Sequence, residues 1–359
     1  MAAKRPGRRT GAVTRRCGRG LMTVDDNLSA LNSSAAAWGR DPTLVQGAGG
    51  NVSIKLDDVM WIKASGTWLA DADMQDILVP VAMPASDVPR VKDGYATALR
   101  PSIETSVHAA LPHRVVVHVH SVDAIAHAVR SDAEAELSQR LSGLAWAFVR
   151  YCKPGPTLAA AVRDAHAATS ADIFVLANHG LIVAADDVAQ ADRLLREVVS
   201  RLSIAPRLPL APQGTPSATS IAGFRAVPDP HVISLAVDPT SLAIATGGPL
   251  YPDHVVFLGP APLVVDRYDE INVALADTRR DRASIRWIIV RGSAVLLAHD
   301  ALRGSDAILR CLADVAARIP PGAPIAPLCA ADVDALIDWD AERYRQAMAT
   351  RSDRPHGAP

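Results

Sequence analysis

Cysteine is sparse in this chain. Cys17, Cys152, Cys311 and Cys329 stand far apart, and no two form a C-x-x-C pair. They read as free thiols of a reducing cytoplasm, which sets the expected localisation. An excess of charge of one sign is also missing: 37 Lys and Arg against 38 Asp and Glu leave a net charge of −1. Nothing global therefore points to nucleic acid or to a membrane surface. No apolar run reaches the roughly 18–20 residues of a membrane span. There is no internal repeat. No G-x-G-x-x-G follows a strand, because Gly47-Ala48-Gly49-Gly50 has the wrong spacing and precedes a strand, not a helix.

What is present is a chain of 359 residues with 49% hydrophobic content, enough for two domains of ordinary size and a large core. Residues 1–21 carry Lys4, Arg5, Arg8, Arg9, Arg15, Arg16 and Arg19 without an acid or an apolar signal region. They read as a disordered basic tail, and Met22 is a candidate start. Periodicity predicts a helix over 24–38, a glycine-rich turn at 47–51, and a hairpin of strands 52–56 and 59–63. A short helix over 71–76, a strand over 78–81, a helix over 103–111 and a strand over 114–120 come next. Helices over 122–130 and 157–169, strands at 173–176 and 181–183, and a long helix over 187–202 complete this part. It reads as an α/β fold of the α+β type, a mostly antiparallel central sheet covered by helices, spanning 22–203. The Pro/Ser/Thr-rich stretch 204–220 reads as a linker. A smaller α/β domain is expected over 221–351, with strands at 254–258, 262–266, 286–290 and 294–298, helices over 268–279, 304–317 and 331–349, and a frayed tail from 352.

Three histidines carry the chemistry. His118 and His120 form an H-x-H at the end of the apolar run Val115-Val116-Val117. The strand period of two puts both imidazoles on one face. His179, in Asn178-His179-Gly180 after another apolar run, can complete a three-histidine metal corner with an open fourth position. Zinc fits three imidazoles best, with cobalt, nickel and manganese open by ligand type. Glu104, in Pro101-Ser102-Ile103-Glu104-Thr105, can supply an acid or base, or a charge at a helix N-terminus that Ser102 caps. Lys63 reads equally as a cleft charge and as a solvated strand residue. His108, His113 and His127, near the same strand, read as structural or as supports behind the ligands, not as ligands themselves.

Gly50-Asn51-Val52-Ser53, Lys63-Ala64-Ser65-Gly66, Pro101-Ser102-Ile103-Glu104, His118-Val119-His120 and Asn178-His179-Gly180 stand in an order and spacing that resemble the class II aldolase/adducin family. The resemblance covers roughly residues 25–203. With Pro252-Asp253-His254 it is nearest to the aldolase half of bifunctional rhamnulose-phosphate aldolase/dehydrogenases, whose dehydrogenase half is absent here. It implies a metal-dependent carbon–carbon lyase acting on a ketose or ketose 1-phosphate, in a homo-oligomer, a tetramer by resemblance. Glu104 is implied as the group exchanging a proton with the enediolate carbon. Tyr151 is implied as the partner of the aldehyde oxygen. Gly50, Asn51, Ser65, Gly66 and Ser102 match phosphate-binding positions, an assignment consistent with glycine turns and hydroxyls forming an anion nest. Ala48 and Ile103 depart from the hydroxyl residues of fuculose-phosphate aldolase-like members, and each removes a donor. Dehydratases, decarboxylases and epimerases share the scaffold, and an adducin-like interaction module would lack the metal histidines. Packing and subunit contact are expected of Pro252-Asp253-His254 and the rest of the second domain, with a substrate-site lid as the alternative.

Overall fold

The computed structural model describes residues 22–84, 89–208, 221, 223–277, 285–337 and 339. The basic tail, most of the expected linker and the end of the chain lie outside the described residues. The first part runs α1 (Val24–Gly39), β1 (Asn51–Leu56), β2 (Val59–Lys63), β3 (Leu78–Ala82), α2 (Thr105–Ala110), β4 (Val115–Val119), α3 (Val122–Ala128), α4 (Ala133–Arg140), β5 (Trp146–Val149), α5 (Pro156–Thr169), β6 (Ile173–Leu176), β7 (Gly180–Ala185) and α6 (Val188–Leu202). Its sheet has the order β3-β2-β1-β4-β7-β6-β5. Only the β5–β6 pairing is parallel.

β4 lies at the centre of this sheet and is buried on both faces, as its unbroken β-branched run requires. Val115, Val117 and Val119 join the core that includes Leu31 of α1 and Leu195 and Val198 of α6. Val116 joins the opposite core with Val107, Leu158 and Val162 of α2 and α5. His118 shares the face of Val116 by the period of two. The covering helices are specified locally. Thr23 and Asp26 close a reciprocal capping box at α1. In α6, Asp187 accepts from the Gln190 N–H at 2.8 Å, and Ala191, Leu195, Val198 and Leu202 form its buried stripe.

The second part runs β8 (Phe224–Ala226), α7 (Pro230–Val237), α8 (Pro239–Thr246), α9 (Pro252–Leu258), β9 (Leu263–Val265), α10 (Ile271–Asp277), β10 (Trp287–Val290), β11 (Ala294–Ala298), α11 (Ser305–Arg318) and α12 (Ala330–Ile337). Its smaller sheet has the order β8-β11-β10-β9. The strand expected at 254–258 is the helix α9. Pro252 occupies its first turn, where a fixed φ favours a helix start, and a short apolar run does not by its period distinguish a buried helix from a strand. The helix expected over 71–76 is replaced by a single 3₁₀ turn at Leu69–Asp71. The helix expected over 268–279 is a 3₁₀ turn at Tyr268–Glu270 followed by α10.

The two parts share a core. Val122, Ile125, Ala126 and Val129, in and just after α3, pack with Phe257 of α9 and Leu309 and Leu312 of α11. At the edge of that contact Asp123 Oδ1 accepts from Arg318 Nε at 2.9 Å and from the Ile204 N–H at 2.9 Å. The helix that follows the H-x-H strand is thus held from both sides. Among the described residues no helix is long and apolar enough to cross a membrane.

Candidate metal centre

β4 ends one residue short of His120, and Ser121 then caps α3. His118 therefore stands on a fixed strand, paired across the sheet with Asn51 and Ile182. His120 sits where strand turns into helix. His179 lies in the tight β6–β7 connection, closed by the pairing of Leu176 with Gly180. That turn needs two special residues. Asn178 adopts φ 53°, a left-handed conformation that asparagine tolerates better than most. Gly180 lies so close to the Val119 carbonyl that a Cβ would collide with it. The Asn178 amide donates to the carbonyls of Leu250 at 3.0 Å and Ala326 at 2.8 Å, which ties the His179 turn to the second part of the chain.

The three histidines are buried and offer ligand nitrogens within 4.8 Å of one another. The Nε2 atoms of His118 and His120 are 3.2 Å apart. His118 Nδ1 lies 3.1 Å from the Leu181 carbonyl. A carbonyl only accepts, so Nδ1 carries the proton and Nε2 keeps its lone pair. Burial lowers the pKa of His118 and pushes His179 down to about 3, so both imidazoles are neutral near pH 7. Glu104 Oε1 lies 3.5 Å from Nε2 of both His118 and His179. Three imidazoles converging beside a carboxylate fit a divalent metal ion. Glu104 itself is the residue that precedes α2, and its side chain makes no capping bond.

His120 and His179 open on a small cleft lined also by Ser65, Gly66, Ser102 and Glu104, with Gly50 and Lys63 at its glycine-turn side. Ala48 and Ile103 also line it and bring no side-chain donor. Asn51 is buried beneath, donating from Nδ2 to Ser102 Oγ. Ser102 Oγ accepts in addition from the Glu104 N–H at 3.2 Å, so it shapes the turn carrying Glu104 and does not cap α2, which begins only at Thr105. The Ser65 hydroxyl is buried with no hydrogen-bond partner among the described residues. Lys63 is 2% exposed and donates from Nζ to the Ala48 carbonyl at 3.0 Å. It is a cleft lysine, and the solvated alternative does not hold.

Tyr151 is not among the residues that line the cleft. It packs against Val255, Leu328, Val333 and Leu336, and burial raises its pKa. His108 meets Ser53 Oγ at 2.8 Å, His113 meets Asp172 at 2.9 Å, and His127 meets the Leu202 carbonyl at 2.9 Å. Sequence reasoning missed the place of Asp253, which is 2% exposed, lines the cleft, and has Oδ2 3.1 Å from His120 Nδ1.

A family model described as Class II Aldolase and Adducin N-terminal domain matches residues 34–205. Among curated proteins, the chain is 29% identical over 171 residues to the uncharacterized oxidoreductase YuxG of Bacillus subtilis, covering 40% of this chain and 24% of that protein. It is 28% identical over 163 residues to an L-fuculose phosphate aldolase of Methanococcus vannielii, covering 42% of this chain and 80% of that one. Among solved structures it resembles the N-terminal class II aldolase domain of a conserved protein from Thermoplasma acidophilum. There the identity is 23% and the TM-score 0.43, covering 54% of this chain and 98% of that one.

Proposed function

Over residues 34–205 this chain belongs to the class II aldolase and adducin family, and from that premise we propose that it is a metal-dependent aldolase of the cytoplasm. It would cleave a ketose or ketose 1-phosphate into a dihydroxyacetone (phosphate) fragment and an aldehyde. The carrying observation is the convergence of His118, His120 and His179 beside the Glu104 carboxylate at a cleft. His118, His120 and His179 would hold the ion, zinc by preference, with cobalt, nickel or manganese as substitutes. When bound, the ion supplies a Lewis acid to the substrate carbonyl.

The remaining work belongs to the chain. Retro-aldol cleavage removes a proton from the substrate hydroxyl, moves the C–C electron pair onto the enediolate fragment, and returns a proton to its carbon. Glu104 would deliver that last proton. Gly50, Asn51, Ser65, Gly66 and Ser102 offer the donors for a phosphate, and the buried Lys63 adds charge where Ala48 and Ile103 remove donors. The L-fuculose phosphate aldolase relative favours a phosphorylated substrate. Tyr151 lies away from the cleft of its own chain with its hydroxyl buried, so the substrate's hydroxyl proton would pass to water in place of the tyrosine that the family resemblance implies, in a homo-oligomer, a tetramer by that resemblance.

The test is product analysis by mass spectrometry on zinc-loaded protein offered ketoses with and without a 1-phosphate, beside His118→Ala/His120→Ala. An aldehyde and a dihydroxyacetone fragment, lost in the double variant, support cleavage. A dehydrated sugar, carbon dioxide or an epimer would replace the aldolase by a dehydratase, decarboxylase or epimerase on the same site. Protein that binds no metal even after reconstitution would leave an adducin-like interaction module.

A further inference from the structure

We propose that Asp253 is a positioning residue of the metal centre, supplied from beyond the family-matched segment, and that it fixes the His120 imidazole through Nδ1. The inference rests on the metal-centre reading above. His118 already has a backbone carbonyl on Nδ1, from Leu181 at 3.1 Å. At His120 the corresponding side of the ring faces Asp253 Oδ2, an ion-pair contact 3.1 Å from Nδ1 that lacks the alignment of a hydrogen bond, while His120 Nε2 faces His118 Nε2 at 3.2 Å. A carboxylate on one ring nitrogen holds the proton there, leaves the lone pair on the other, and stops the ring from turning.

Two independent features show that the pair is built into the fold. The first is Gly49, whose φ is not left-handed, so conformation does not call for glycine. A Cβ there would stand 2.8 Å from His120 Nδ1, 2.9 Å from the Gln46 carbonyl and 3.1 Å from Asp253 Oδ2. The glycine leaves room for the pair as well as for the Gln46 carbonyl. The second is the route by which Asp253 arrives. It opens α9, and the preceding Leu250 carbonyl accepts from the Asn178 amide. One short stretch, Leu250 to Asp253, therefore reaches both the His120 and the His179 ends of the centre. The family match stops at residue 205, so in this chain the matched part alone does not contain everything that orients the histidines.

The test is zinc affinity by competition with a chromophoric chelator, on the full chain of wild type, Asp253→Asn and Asp253→Ala, with thermal melts of the metal-free proteins alongside. Loss of a carboxylate on a ligand histidine weakens metal binding by about 10- to 100-fold. Asp253→Ala is expected in that range. Asp253→Asn, which keeps an acceptor but no charge, should fall between it and wild type. Zinc affinities of both variants within about twofold of wild type would overturn the proposal, and a lowered melting temperature alone would then mark Asp253 as structural. If Asp253→Ala does not fold, the near-isosteric Asp253→Asn decides by the same twofold limit. Wild type that binds no zinc would overturn the metal-centre reading and this proposal with it. Wild type that binds zinc but cleaves no sugar would leave the positioning role standing.

Discussion

Asn178 is the residue whose replacement tests how the two parts of the chain hold the metal centre. Its amide donates to the Leu250 and Ala326 carbonyls at 3.0 and 2.8 Å, and its backbone sits at φ 53°. These are separable contributions. Asn178→Gly removes both hydrogen bonds and keeps the left-handed backbone without strain. Each carbonyl that loses its donor costs about 1–2 kcal/mol, so the glycine variant should lose about 2–4 kcal/mol of stability. Asn178→Ala removes the same bonds and adds the left-handed penalty of an L-residue, about 1–2 kcal/mol more. Asn178→Asp keeps the conformation but aims a carboxylate at two carbonyl oxygens, so it should be no better than glycine. Urea unfolding of the chelator-treated proteins, followed by tryptophan fluorescence, gives the ranking directly. Zinc titration of the folded variants should show weakened binding as well, because His179 is the next residue. A glycine variant within about 0.5 kcal/mol of wild type, judged against the hydrogen-bond range, or an alanine variant no worse than glycine, would refute the reasoning.

Glu104→Gln should keep zinc content near wild type while lowering the turnover number by about 10²- to 10⁴-fold, the range of a lost general acid or base, read by paired metal analysis and product kinetics. Gly49→Ala places a Cβ 2.8 Å from His120 Nδ1 and 2.9 Å from the Gln46 carbonyl. It should cost about 1–3 kcal/mol of stability, with a loss of zinc affinity, measured by denaturation and chelator competition. Stability of the zinc-free protein should fall below neutral pH. Burial holds His179 and His254 at about 3 when folded, against about 6.5 in the unfolded chain. Between those values the unfolded state binds the extra protons, so stability is flat above about 6.5 and drops as pH falls toward 3. Each histidine contributes up to about 1.4 kcal/mol per pH unit, and His254→Gln should remove one such share of the slope between pH 6 and 4.

What could be read from residues alone follows the range of the interactions involved. The three histidines were legible because their geometry is local. An H-x-H on an apolar strand must share a face, and Asn178-His179-Gly180 is a turn whose residues suit the left-handed and Cβ-free positions it needs. Lys63 was ambiguous because burial depends on neighbours. Its strand places the side chain, but the Ala48 carbonyl and the walls of the cleft decide that it is dry. α9 was misread because Val255-Val256-Phe257-Leu258 is apolar at every position, so neither period is visible, and Pro252 was the only local sign of a helix. That error hid Asp253 as well. Read as the approach to a strand, the acid has no defined direction. At the first turn of a helix whose Val256, Phe257 and Leu258 fill the core shared with α3 and α11, it is held in the wall of the cleft. Side chains that reach a site across a shared core have no local period to announce them. The place to look for them is where a metal ligand's second nitrogen has no backbone carbonyl to meet. His118 has Leu181 for that purpose, and at His120 the position is filled by a carboxylate from the other part of the chain.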